Sequence, residues 1–179
     1  MSDTEDVVMD SSAEEPVHIS PIANPLLRGK TLKRSLKLVK RALALEKLAK
    51  AKRLEEEGEA DTILTRLVKR GVQDVTKAIR KGIQGVVLVA CDVHPIDVVA
   101  HLPIMCEDAS VAYAYVSSKR VMSQVCQSKR PTCVVLVTKP PKDLLQRLTK
   151  LVPDRNEKLN YTDLYEKVDR AIRNSHPFM

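Results

Sequence analysis

The sequence contains no tryptophan and a single phenylalanine, and aromatic residues make up 3% of its 179 positions. Hydrophobic residues still account for 44%, so a core built from this chain must be aliphatic, made of Val, Leu, Ile and Ala. Long apolar runs are also missing. None approaches the roughly 18 residues that a bilayer span requires, and the first fifteen residues are acidic where a signal peptide would be basic and then apolar. The four cysteines, Cys91, Cys106, Cys126 and Cys133, form no Cys-x-x-Cys pair and have no histidine at zinc-finger spacing. These absences describe a reduced, soluble intracellular chain whose thiols are buried or half-buried. Walker A, Gly-x-Gly-x-x-Gly and His-Glu-x-x-His sequences do not occur, and "GIQG" (82–85) precedes a strand pattern instead of following one. No cofactor, no metal and no enzymatic activity are expected.

What the chain does have is charge, unevenly placed. A net charge of +7 and a pI near 9.3 point to a polyanionic partner, nucleic acid before an acidic membrane surface. Residues 1–20 hold six acids and no Lys or Arg; Arg28–Arg53 holds eleven basic residues against one acid, Glu46; Glu55–Asp61 then adds five acids. Residues 1–15 read as an acidic disordered tail. Residues 16–179 read as one α/β domain that includes a basic N-terminal helix at about 31–57. Its first stretch, "PVHISPIANP" (16–25), has three prolines in ten residues and reads as an extended segment lying against the folded body.

Periodicity supplies the elements. Leu32, Leu36, Val39, Leu43 and Leu48 recur at helical spacing from Thr31 to Glu57, with a stop at Gly58. A second helix spans about Val72–Lys81 and ends at Gly82. Three apolar runs read as strands: "GVVLVAC" (85–91), "VAYAYV" (111–116) and "TCVVLVT" (132–138). The first and third are nearly continuous in valine, as central strands covered on both faces are. Helical patterns at 95–108, 118–126, 141–151 and about 161–173 fill the gaps. Strands alternating with helices give an α/β sandwich, a sheet between helical layers.

Asp92 and His94 follow a central strand, where α/β proteins place ligand contacts, and two such groups suit acid–base work. No nucleophile accompanies them, however, and His94-Pro95 reads as the loop before a helix opened by proline. His101 on that helix reads as a packed or capped side chain. The basic run Arg28–Arg53 lacks the Phe and Trp of a membrane-lying helix, so no membrane partner is expected. The stretch "KRGVQDVTKAIRKG" (69–82) is more specific. Gly71 opens its helix and leaves the first-turn amides accessible, while Val72, Val75 and Ile79 form the inward stripe. Gln73, Lys77 and Lys81 share another face with Asp74 beside them. Amides, Arg70 and Lys77 suit phosphates. A carboxylate in that company suits a donor edge such as that of guanine, because phosphate contacts position and base edges specify.

"RGVQDVTKAIRKG", "VVLVACDVHPIDVVAHLPIMCEDASVAYAYVSSK" and "SKRPTCVVLV" together resemble the kink-turn RNA-binding family of small ribosomal proteins and ribonucleoprotein core proteins. "ISPIANPL" (19–26) and "SKRPTCVV" (128–135) are similar to its H/ACA branch. The resemblance covers about residues 17–43 and 64–173. It implies a three-layer α/β/α sandwich around a mixed sheet, with an RNA face in three pieces. The helix start carries Arg70, Gly71, Gln73, Asp74 and Lys77. The loop after the first long strand carries His94, with Val98 one turn on. The loop before the last strand carries Ser128, Lys129 and Arg130. In such proteins the helix start reads a sheared guanine–adenine pair, and the apolar loop residue supports a flipped base.

For the H/ACA branch the resemblance further implies a non-catalytic core subunit of the nucleolar particle that guides pseudouridylation of ribosomal RNA. Its partners are the H/ACA guide RNA, the small adaptor subunit (H/ACA subunit 3) and the pseudouridine synthase. Strong kink-turn readers have Asn-Glu where this chain has Gln73-Asp74, and commonly an acid where it has His94. Moving two hydrogen bonds by a methylene each blunts a contact worth roughly 1–3 kcal/mol, which fits a general RNA binder placed by its partners. A kink-turn-specific core protein of box C/D, spliceosomal or ribosomal particles is the alternative. Residues 44–63, "ALEKLAKAKRLEEEGEADTI", stand outside the resemblance and read as a helix extension with a charged end.

Overall fold

A computed structural model describes residues 19–55, 67–140 and 161–177. In chain order the elements are α1 (Gly29–Glu55), β1 (Val68–Arg70), α2 (Val72–Arg80), β2 (Gly85–Ala90), α3 (Asp97–Asp108), β3 (Ala112–Val116), α4 (Lys119–Val125), β4 (Val134–Thr138) and α5 (Tyr161–Ser175). All six residues of β2 are buried, which an almost unbroken valine run requires and only cover on both faces provides. The strand order is β1-β4-β2-β3, with β2 parallel to β3 and β4 antiparallel to both β1 and β2. The two valine-rich runs are therefore the central strands, and the sheet is mixed.

The period of two along each strand divides the core into two layers. Val86, Leu88, Ala112, Ala114, Val116, Val135 and Val137 pack toward α1, α4 and α5. Val87, Val89, Tyr113, Tyr115, Val134 and Leu136 pack toward α2 and α3. This is the three-layer α/β/α arrangement. At Gly85 any side chain would press on the Val137 carbonyl of β4, so the start of β2 admits only glycine.

Helix α1 begins at Gly29, two residues before the expected Thr31. Its buried face is wider than the leucine spacing alone predicts: Ser35, Leu38, Ala42, Leu45 and Glu46 join Leu36, Val39 and Leu43. Ser35 donates to the Thr31 carbonyl at 3.0 Å, so the buried hydroxyl has a partner. The outward positions Lys30, Lys33, Arg34, Lys37, Lys40, Lys47 and Lys50 are exposed and all basic. Residues 19–27 lie against the body, as their prolines predict, with a turn at Pro21–Ile22 closed by Ala23 N–H donating to the Ser20 carbonyl at 3.0 Å. Ser20 N–H donates to the Cys91 carbonyl at 3.0 Å, and Leu26 bridges Tyr115 in parallel. The expected tail (1–15), the helix stop at Gly58 and the helix at 141–151 lie outside the described residues.

Two expectations need correction. Helix α3 is not opened by Pro95. It starts at Asp97, and Pro95 lies in the preceding turn, its carbonyl accepting from Val98 N–H at 3.3 Å. Strand β1 was not anticipated: three residues are too few for any period, and its partner β4 is far along the chain.

Candidate nucleic-acid interface

The three sequence segments expected at one face meet through backbone hydrogen bonds at one end of the sheet. Gly71 N–H donates to the Val134 carbonyl at 2.9 Å, Ala90 N–H to Cys133 at 2.8 Å, and Cys91 N–H to Val116 at 2.9 Å. Arg70 adds a guanidinium bond to the Cys126 carbonyl at 3.3 Å. The start of α2, the loop after β2 and the loop before β4 are thereby joined.

Gly71 holds φ 92° and ψ 152°, a region that residues with a Cβ rarely enter, and makes no side-chain cap. No other atom lies near where its Cβ would be, so glycine serves the backbone conformation here and not a tight contact. Along α2, Val75, Ala78 and Ile79 are buried and Val72 is half-buried. Gln73, Asp74 and Lys77 are exposed, so the polar face reads as expected. The first-turn N–H groups of α2 carry the positive end of the helix dipole beside these side chains.

In the loop after β2, His94 is exposed and Val98, at the start of α3, is 40% exposed. Asp92 does not face outward as a free acid. Its carboxylate accepts from Lys119 N–H at 2.8 Å and Ser118 Oγ at 3.3 Å, while Ser118 Oγ accepts from Arg120 N–H at 3.1 Å. It completes the N-terminal end of α4, a structural role. His101 also has a structural partner: its Nε2 lies 3.2 Å from Thr76 Oγ1 and ties α3 to α2.

The loop before β4 turns at Gln127, whose φ of 51° is left-handed. Ser128 N–H donates to the Ser123 carbonyl at 3.0 Å, and Ser128 Oγ accepts from Arg130 N–H at 3.2 Å. Lys129 and Arg130 are exposed, and Lys47 of α1 bonds the Gln127 side chain.

None of the four cysteines is disulfide-bonded; three are buried and Cys133 is half-buried. Burial pushes the Cys106 thiol up to about 12, with Glu107 adding to the shift. The Cys133 thiol is also raised, by burial first and despite Lys119. These thiols are packed side chains and not nucleophiles. Among the described residues no group of three or more His, Cys, Asp or Glu side chains is arranged to hold a metal ion, and no helix is long and apolar enough to cross a membrane.

Sequence reasoning missed the ground beside this face. A groove of about 520 Å³ runs between α1, β1 and α2, lined in part by Lys50, Lys69, Arg70, Lys77 and Lys81. At its base Glu46 is 6% exposed and accepts from Val68 N–H at 2.6 Å. Burial raises its carboxyl pKa, opposed by that hydrogen bond and by Lys50, Arg70 and Lys69. The available signal was Glu46 itself, a lone acid in a run of eleven bases.

The description "Ribosomal protein L7Ae/L30e/S12e/Gadd45 family" matches residues 59–145. The chain is 36% identical to an H/ACA ribonucleoprotein complex subunit 2-like protein of Arabidopsis thaliana, over 86% of this chain and 87% of that one. It is 37% identical to a protein of the same description from Xenopus tropicalis, over 76% and 78% of the two chains. Among solved structures, the Giardia lamblia 15.5kD RNA binding protein superposes with a TM-score of 0.54 at 26% identity, covering 78% of this chain and 99% of that one.

Proposed function

Because this chain belongs to the H/ACA ribonucleoprotein complex subunit 2 proteins of the L7Ae/L30e/S12e/Gadd45 family, we propose that it is a non-catalytic RNA-binding core subunit of the H/ACA particle. Its task is to hold the guide RNA while a separate pseudouridine synthase modifies ribosomal RNA, in support of rRNA processing and ribosome biogenesis. The observation that carries the reading is the joining of three remote segments around the start of α2, on a chain of this family.

On this face Arg70, Lys77, Lys129 and Arg130 neutralise phosphates, and the amides after Gly71 donate to one. Gln73 and Asp74 meet base edges. Val98, the exposed apolar residue at the start of α3, packs on an unstacked base, and Ser128 holds the turn that presents Lys129 and Arg130. The direct partners are the guide RNA and the small adaptor subunit of the complex, with the synthase beyond it. The site of action is the nucleolus, within the nucleus.

An RNA titration across salt, comparing a kink-turn RNA with an unrelated stem-loop, tests this. Near-equal affinities that fall steeply with salt support the reading. Lys77→Ala and Arg130→Ala each lower the slope by roughly 0.7–0.9. A preference of a hundredfold or more for the kink-turn, about 2.7 kcal/mol, moves the protein to the kink-turn-specific class. Gln73→Asn with Asp74→Glu is expected to raise the kink-turn preference. Recovery of neither the synthase nor the adaptor on co-purification from nuclear extract overturns the H/ACA assignment.

A further inference from the structure

We propose that the groove between α1, β1 and α2 is a second RNA site, continuous with the face at the α2 N-terminus, that takes the phosphodiester backbone of a single strand leaving that face. The inference rests on the RNA-binding reading above and extends it to residues outside it, Lys50, Lys69 and Lys81.

Three elements far apart in sequence contribute cations here: Lys50 from α1, Lys69 and Arg70 from β1, and Lys77 and Lys81 from α2 and its end. A concave surface lined by one sign of charge focuses its field and concentrates the opposite ion. Two carboxylates also line the groove, and they act differently. Glu46 is buried and bonded to the β1 backbone, where it sets the floor. Asp74 stands exposed at the end shared with the first face. The volume, about 520 Å³, lies within the range of binding clefts.

Asp74 and Lys77 belong to both surfaces, and the path from Asp74 to Lys81 runs about 10 Å along α2 at the helical rise. A strand held at the start of α2 therefore has a cationic track to follow toward α1. The apolar part of the lining is aliphatic, from Val68, Ala78 and Ile83, and all four tyrosines of the chain are buried. Among the described residues the groove accordingly has no aromatic stacking platform, and it tracks phosphates without reading sequence.

The test uses the full-length protein and one stem-loop RNA, bare or extended by a short oligouridine tail at its 5′ or 3′ end. One tail is expected to raise wild-type affinity about tenfold, from roughly half a decade per phosphate contact. Lys50→Gln with Lys81→Gln abolishes that gain, lowers the salt slope for the tailed RNA by about 1.4, and leaves binding of the bare stem-loop unchanged. Lys50→Arg with Lys81→Arg retains the gain. If neither tail adds affinity, or if the glutamine variant keeps the gain, the groove is not a strand site while the first face stands. If the wild type binds no RNA at all, the underlying reading falls and takes this proposal with it. Both lysines are exposed, and an unchanged unfolding midpoint confirms that the variants are folded.

Discussion

The two edges of the sheet meet the same hazard, a row of backbone groups open to another strand, and are finished in different ways. At β3 the chain closes the edge with its own backbone: Tyr115 N–H donates to the Pro25 carbonyl and Leu27 N–H to the Tyr115 carbonyl, both at 2.8 Å, and Leu27 is buried at 4% exposure. At β1 the edge is only three residues long, and Glu46 takes up the Val68 N–H. Lys69 and Arg70 then surround it with positive charge. The β3 edge is covered at Tyr115 by the chain's own backbone, which contributes to stability. The β1 edge is short and cationic, which discourages strand addition but leaves a concave surface suited to a polyanion.

Breaking the covered edge has the largest expected effect. Leu27→Ala leaves a cavity beneath the covering segment and lowers unfolding free energy by about 2–5 kcal/mol, read from urea denaturation. At the other edge, Glu46→Ala strands the Val68 N–H and costs about 1–3 kcal/mol in the same assay. Gly71→Ala, which forces a Cβ into the φ 92° conformation, costs roughly 1–2 kcal/mol and weakens RNA binding, because α2 then starts from a shifted backbone.

Glu46→Gln gives a smaller, pH-dependent signal. Burial raises the folded-state pKa above 4.5, so above pH 4.5 the folded protein keeps a proton that the unfolded chain releases. Stability from this group is full below that window and is lost as pH rises through it. The urea midpoint of Glu46→Gln relative to wild type should therefore climb as pH increases from 4.5. His176, whose pKa burial lowers, acts with the opposite sign but equally in both proteins, and cancels in the difference. Lys69→Gln has the smallest effect on folding, within about 0.5 kcal/mol, but reduces the RNA salt slope by about 0.7.

Legibility in the sequence followed the range of the interactions. The central strands were readable because β2 and β4 are nearly unbroken valine runs, and α2 because its polar and apolar faces separate cleanly. That "PVHISPIANP" rests on the body was foreseen from its prolines and holds for residues 19–25; that the segment covers the β3 edge at Tyr115 was not, since pairing across the chain leaves no local trace. The missing nucleophile argues against Asp92 as a catalytic acid, but its actual partners, the Lys119 N–H and Ser118 hydroxyl, lie at the start of a later helix and leave no local trace. The groove stayed hidden for a similar reason, since Glu46, Lys50 and Lys69 become neighbours only once α1 crosses the sheet and β1 pairs with β4.

The backbone bonds that join Gly71 to Val134 and Ala90 to Cys133, with Arg70 fastened to Cys126, have a calorimetric consequence. A surface already assembled before RNA arrives has little conformational entropy left to surrender on the protein side. Association should then be driven mainly by released counterions, with a binding heat capacity change far smaller than a segment folding onto its ligand would produce. Any large negative heat capacity change would have to originate in the RNA, as bases restack or a stem closes around the face.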